Sequence, residues 1–107
     1  TGVQTCALPI CKVVKGKSLP FNRLSDHQLE YLQRFDSISS KHQGAIAVMF
    51  YNGLKGKASI RRAWLIPIGE WVSLLRRANR KSLPMSYCES RLSRYELVRK
   101  DGVWLIP

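Results

Sequence analysis

Gly44-Ala45-Ile46-Ala47-Val48-Met49-Phe50-Tyr51 decides how the rest of the chain is read. The run is almost wholly apolar, has no helix cap in front of it and is bounded by Asn52-Gly53, so it suits a strand covered on both faces in the middle of an α/β sheet. After the basic loop Leu54-Lys55-Gly56-Lys57, residues 59–66 read as an antiparallel partner strand. Ile60, Arg62, Trp64 and Ile66 share one face of it, and Pro67 stops it.

Upstream of this pair, Ser25-Asp26-His27-Gln28 has the S-x-x-Q form of a capping box and opens a helix. Leu24, Gln28, Tyr31, Leu32, Phe35 and Ile38 follow at helical spacing as its buried face, while Glu30 and Arg34 make an i,i+4 pair on the exposed side. Downstream, residues 69–79 place Trp71, Val72, Leu74, Leu75 and Ala78 at helical spacing. Glu70 in the first turn and Arg76 and Arg77 in the last match the helix dipole. Residues 82–93 show no firm period, and residues 95–106 read as a hairpin turning at Asp101-Gly102. The duplicated strings KSLP (17 and 81) and WLIP (64 and 104) have unequal spacings and do not define a structural repeat.

The first strand reads as Cys11-Lys12-Val13-Val14, running into the loop Lys15-Gly16-Lys17-Ser18, with Pro20 keeping that loop from becoming helix. Residues 1–10, TGVQTCALPI, resemble codon for codon the translation of a common sequencing-library adapter. Its final base would also fix the first base of the Cys11 codon; with that base replaced, residue 11 could be Arg, Ser or Gly. On this reading residues 1–10 are adapter-derived and stand outside the fold, and residues 11–107 are native.

The chain of 107 residues carries 18 Lys and Arg against 7 Asp and Glu, a formal charge of +11, with 45% hydrophobic residues. That is enough apolar content for a core, so a disordered basic tail is excluded, and the charge favours phosphate backbones over most other partners. No apolar run approaches the ~20 residues of a spanning helix. Cys88 is the one cysteine free of the adapter question, so neither a disulfide framework nor a CxxC metal pattern is available, and a cytoplasmic setting is expected. His27 and His42 read as surface or capping residues. Trp64, Trp71 and Trp104 read as core, because each falls on an apolar strand or helix face.

The run Lys12 … Lys17-Ser18-Leu19-Pro20-Phe21 … Leu24-Ser25-Asp26-His27-Gln28-Leu29-Glu30-Tyr31-Leu32, followed by Gly44-Ala45-Ile46-Ala47-Val48-Met49-Phe50, resembles the RecU-type Holliday junction resolvases of the PD-(D/E)xK nuclease superfamily over residues 12–79. The resemblance implies an α/β fold with a partial restriction-endonuclease-like core, a central mixed sheet flanked by helices. Residues 11–107 would then be the C-terminal part of a nuclease-like domain. It also implies an E-x-K strand with Lys12 as the catalytic lysine, Gln28 near the active site, Mg²⁺ as the full-length protein's cofactor, branched DNA as partner and a homodimer. Two carboxylates would hold the Mg²⁺ and the lysine would orient or activate the attacking water. The acid belongs at position 10, where Ile10 stands, so this chain would have no metal ligand and no activity of its own.

Gly16-Lys17-Ser18 also ends a phosphate-loop pattern whose first Gly would fall at position 11, but Leu19-Pro20-Phe21 intervenes where a helix must begin. For phosphate contact the candidates are Lys15 and Lys17, Lys55 and Lys57, Arg61 and Arg62, and Arg76 and Arg77, with Arg80 and Lys81 beside them. The alternative to a nuclease is a non-catalytic basic nucleic-acid-binding module, and a third reading is a protein-interaction fragment.

Overall fold

The computed structural model describes residues 6–77, 80–100 and 103–105. Its elements are β1 (Cys6–Lys15), β2 (Ser18–Pro20), α1 (Asp26–Ser37), β3 (His42–Tyr51), β4 (Arg61–Pro67), α2 (Ile68–Arg77), β5 (Ser82–Pro84), α3 (Met85–Arg91), β6 (Val98–Lys100) and β7 (Val103–Leu105). The fold is mixed α/β. β3 is the central strand of a sheet ordered β1-β3-β4, with β1 parallel and β4 antiparallel to it. Ile10 lies opposite Ile46 and Lys12 opposite Val48, and Val48 lies opposite Trp64 on the other side.

The apolar run is central, as its composition predicts, but it is not equally covered on its two faces. Ile46, Val48 and Phe50 are buried, whereas Ala47, Met49 and Tyr51 on the opposite face are half-buried. The helices account for the difference. Leu32 of α1 and Ile68, Trp71 and Leu74 of α2 join the core on the Ile46 side, together with Trp64 and Ile66 of β4. The rings of Phe50 and Trp64 meet edge to face with centroids 5.8 Å apart.

α1 begins where the capping box puts it. Gln28 N–H donates to Ser25 Oγ at 3.2 Å and Ser25 N–H donates to Gln28 Oε1 at 3.1 Å. Its buried face is narrower than the spacing predicts, for Tyr31 is 58% and Ile38 63% exposed. Ile38 is the C-cap residue, beyond the last helical turn, and Tyr31 points aside from the line through Gln28, Leu32 and Phe35. Gly44 is where α1 and β3 touch backbone to backbone. A Cβ there would lie 2.6 Å from the Leu32 carbonyl oxygen, and Gly44 N–H donates to Asp36 Oδ1 at 3.0 Å. Gly44→Ala must therefore push helix from sheet, and urea unfolding is expected to show a loss of about 1–3 kcal/mol.

β1 starts at Cys6, so Cys6–Ile10, set outside the fold by their adapter-like sequence, pair with His42–Ile46. The edge of β3 offers a row of main-chain donors and acceptors that any extended segment satisfies. Even Pro9 is tolerated, because β1 is an edge strand and a missing N–H costs little there. β4 ends at Pro67, and α2 starts at Ile68 with no loop between them, one residue earlier than predicted. The predicted end of that helix at Ala78 and Asn79 lies outside the described residues.

The segment without periodicity holds β5 and α3. β5 pairs with β2, so the two KSLP strings lie antiparallel with Leu19 opposite Leu83, both buried. The arrangement is close to a local two-fold: Phe21 N–H donates to the Lys81 carbonyl at 2.9 Å and Met85 N–H to the Lys17 carbonyl at 2.8 Å. The strings form no structural repeat, for the first leads into a 3-10 turn at Phe21–Arg23 and the second into α3, but they pair with each other. The hairpin is present as β6 and β7, with Lys100 opposite Val103; Asp101-Gly102 at its turn lie outside the described residues. Trp64 and Trp71 are buried as expected. Trp104 is only half-buried, with the Arg99 guanidinium 5.7 Å from its ring centroid.

Cys88 is fully buried, and burial pushes its thiol up to about 12. An exposed thiol ionises near ~8.5, so the fold holds a proton that the unfolded chain releases. The Cys88 contribution to stability is therefore complete below about pH 8.5 and declines as pH rises towards 12. A thiol reagent at neutral pH is expected to label exposed Cys11 and to spare Cys88 until the chain unfolds.

Candidate nucleic-acid interface

Because β1 and β3 are parallel, both deliver their C-terminal ends to the same side of the molecule. There Lys15, Tyr51 and Arg61 form one row across the sheet, a cation on each side of a half-buried tyrosine. Gly16 reverses the chain with φ +124° and donates its N–H to the Tyr51 carbonyl at 2.8 Å. A side chain at that φ would be strained, so the turn depends on glycine. A recess of about 430 Å³ opens at this end, lined by Lys15, Lys17, Tyr51, Asn52, Ile60 and Met85.

Asn52 builds the basic loop beside the recess. Its Oδ1 accepts from Leu54 N–H at 3.1 Å and Ile60 N–H at 3.0 Å, and its Nδ2 donates to the Ala58 carbonyl at 2.7 Å. The loop thus closes on one side chain and holds Lys55 and Lys57 out in solvent, on either side of Gly56 at φ +69°. From sequence Asn52 marks only the end of a strand. Its stapling role is foreshadowed by the tendency of Asn to hydrogen-bond the backbone two residues on, but the bonds to Ala58 and Ile60 depend on the tertiary path.

Lys12 sits elsewhere. Strand alternation sets it with Ile10 and Val14 on the helix-covered side of β1, half-buried, while Lys15 projects from the other side. Lys12 makes no side-chain hydrogen bond or ion pair among the described residues. Gln28 has its Oε1 committed to the capping box. The site implied by the resemblance needs two carboxylates around Lys12 to hold Mg²⁺. Its neighbour on that face is Ile10, and the described residues contain no group of three or more His, Cys, Asp or Glu able to hold a metal ion. The residues present do not fit the cation. Gly16-Lys17-Ser18 runs into strand β2 and not directly into a helix, as a phosphate loop would.

Arg62 leaves the phosphate-facing set. Its Nε and one terminal nitrogen donate to the two Glu96 carboxylate oxygens at 2.9 and 2.8 Å, and the other nitrogen donates to Glu89 at 2.7 Å. The guanidinium also lies 5.0 Å from the Trp64 ring centroid. Hydrogen bonding to Glu96 raises its pKa, against the opposing effect of burial, and Glu89 adds to the rise. Arg62 fastens α3 and the Glu96 segment to β4. Arg62→Ala is expected to cost about 1–2 kcal/mol in urea unfolding, modest because the groups are partly solvated.

Among the described residues, carboxylates within ion-pair distance hold only Arg34, Arg62 and Arg94. Lys15, Lys17, Lys55, Lys57, Arg61, Arg76 and Arg77 are all exposed and outside such pairs. The first five gather at the C-terminal end of β1 and β3, whereas Arg76 and Arg77 close α2. No helix among the described residues is long and apolar enough to cross a membrane. No family model, curated protein or solved structure matches the chain.

Proposed function

We propose that this chain is part of a structure-selective DNA endonuclease of the Holliday junction resolvase type, with a partial restriction-endonuclease-like core. The observation that carries the reading is the placement of β1. It sets position 10 and Lys12 on one face, as an E-x-K strand requires, and it leads directly into a cluster of cations without carboxylate partners among the described residues. Lys12 is the catalytic lysine of the parent protein, and Lys15, Lys17, Lys55, Lys57 and Arg61 grip DNA phosphates. Gln28 is a helix cap.

With Ile10 where the acid belongs, the chain holds DNA and does not cut it. The test is a labelled four-way junction incubated with the chain in Mg²⁺. Retarded but intact DNA is expected, and cleavage at ordinary enzymatic rates would overturn the assignment of position 10. A second reading, a non-catalytic basic nucleic-acid-binding module, is favoured by the lack of an acid beside Lys12 among the described residues and gives the same result in this assay. The native codon at position 10 separates the two.

A further inference from the structure

A second recess, of about 350 Å³, runs beside β5 from Ser82 to Pro84 and shares no lining residue with the lysine recess. Its walls are apolar and partly aromatic: half-buried Phe21 and Tyr87, with Leu83 and Pro84 between them. Phe21 is fixed by an edge-to-face contact with buried Trp71, centroids 5.3 Å apart, so the wall is rigid. The rim carries Arg77 and Arg80, both exposed and neither paired with a carboxylate among the described residues. Arg77 Nε donates to the Ser73 carbonyl at 3.4 Å, and its terminal nitrogens have no hydrogen-bond partner among the described residues.

We propose that this recess seats one unpaired base of a DNA strand, with Arg77 and Arg80 on the flanking phosphates. A flat apolar slot with aromatic walls and guanidinium groups at its mouth matches a planar heterocycle attached to anions. A base reaches such a slot only when it is out of the stack, so the site selects single-stranded or unpaired DNA over continuous duplex. Pro84, which borders this recess, lies opposite Ser18 and next to Met85 of the lysine recess, so the two recesses adjoin along β5 and one strand held by Lys17 can reach Arg77 and Arg80. This deepens the DNA-binding reading above and rests on it.

The test uses the whole chain, without Mg²⁺, and fluorescence anisotropy of a short labelled oligothymidylate, an abasic strand of equal length and a duplex. The chain is expected to bind oligothymidylate about tenfold more tightly than the abasic strand, because the phosphates are the same and only the base differs. Tyr87→Ala should abolish that preference and leave abasic binding unchanged, while Tyr87→Phe keeps it. The double variant Arg77→Gln, Arg80→Gln, at exposed positions that do not support the core, should weaken binding of both single strands by about tenfold. Equal affinity for base-bearing and abasic strands, or a preference that survives Tyr87→Ala, overturns the base seat and leaves the phosphate-binding surface standing. No binding to any of the DNAs overturns both.

Discussion

Replacing Lys15, Lys17, Lys55 and Lys57 together by Gln is expected to lower affinity for a four-way junction by roughly 100- to 1000-fold near physiological salt, and to flatten the salt slope by about 3 to 4. The magnitude follows from counterion release. Each phosphate neutralised by a lysine contributes about 0.9 to the slope of log K against log salt. All four side chains are exposed and lack carboxylate partners among the described residues, so the fold should survive their loss. Filter binding or anisotropy across a salt series gives both numbers. A variant that keeps the slope of the original chain would move the DNA to another surface. A flat slope in the original chain would favour the protein-interaction reading.

Trp64→Ala is expected to be the most damaging single substitution, at about 3–5 kcal/mol. That is much of the ~5–15 kcal/mol holding a domain of this size together, so the variant should be largely unfolded at growth temperature. Trp64 is fully buried at the centre of β4, against Phe50 and beneath the Arg62 guanidinium, and its removal opens a cavity that two fixed helices cannot close. Its Nε1 is buried without an acceptor among the described residues, a standing cost of about 1–3 kcal/mol that the ring's packing outweighs. Trp64→Phe removes that orphan N–H along with part of the ring, so its loss should be clearly smaller than that of alanine. Circular dichroism through a urea titration ranks the variants.

The elements most legible in the sequence were those in which local and tertiary signals agree. The run 44–51 is the central strand, Ser25 and Gln28 form the cap, and Trp64 and Trp71 are core. What the sequence could not show depends on partners distant along the chain. Arg62 looks like any other arginine until Glu89 and Glu96 come to it from residues 27 and 34 positions away. The pairing of residues 18–20 with 82–84 has no period to announce it, because each strand is three residues long and its stability is tertiary. The half-covered face of β3 was invisible for a similar reason: Ala47, Met49 and Tyr51 are as apolar as their neighbours, and only the placement of both helices on the other side distinguishes them.

Lys15 and Lys17 stand out in the sequence by their charge and by their place just after Lys12, and the structure adds their geometry. Lys15 shares a row with Tyr51 and Arg61, and Lys17 faces the same recess. Lys12, in contrast, stands out by resemblance, and on β1 it has no side-chain partner among the described residues. The chemistry proposed for Lys12 therefore turns on what belongs at position 10.

The measurement that bears on this most directly is the genomic DNA sequence upstream of the Lys12 codon. Glu or Asp is expected where Ile10 stands, with a further Asp earlier, on a strand able to lie beside β1. Genomic codons that read TGVQTCALPI into Lys12, or that place apolar or basic residues at position 10, would contradict the nuclease assignment.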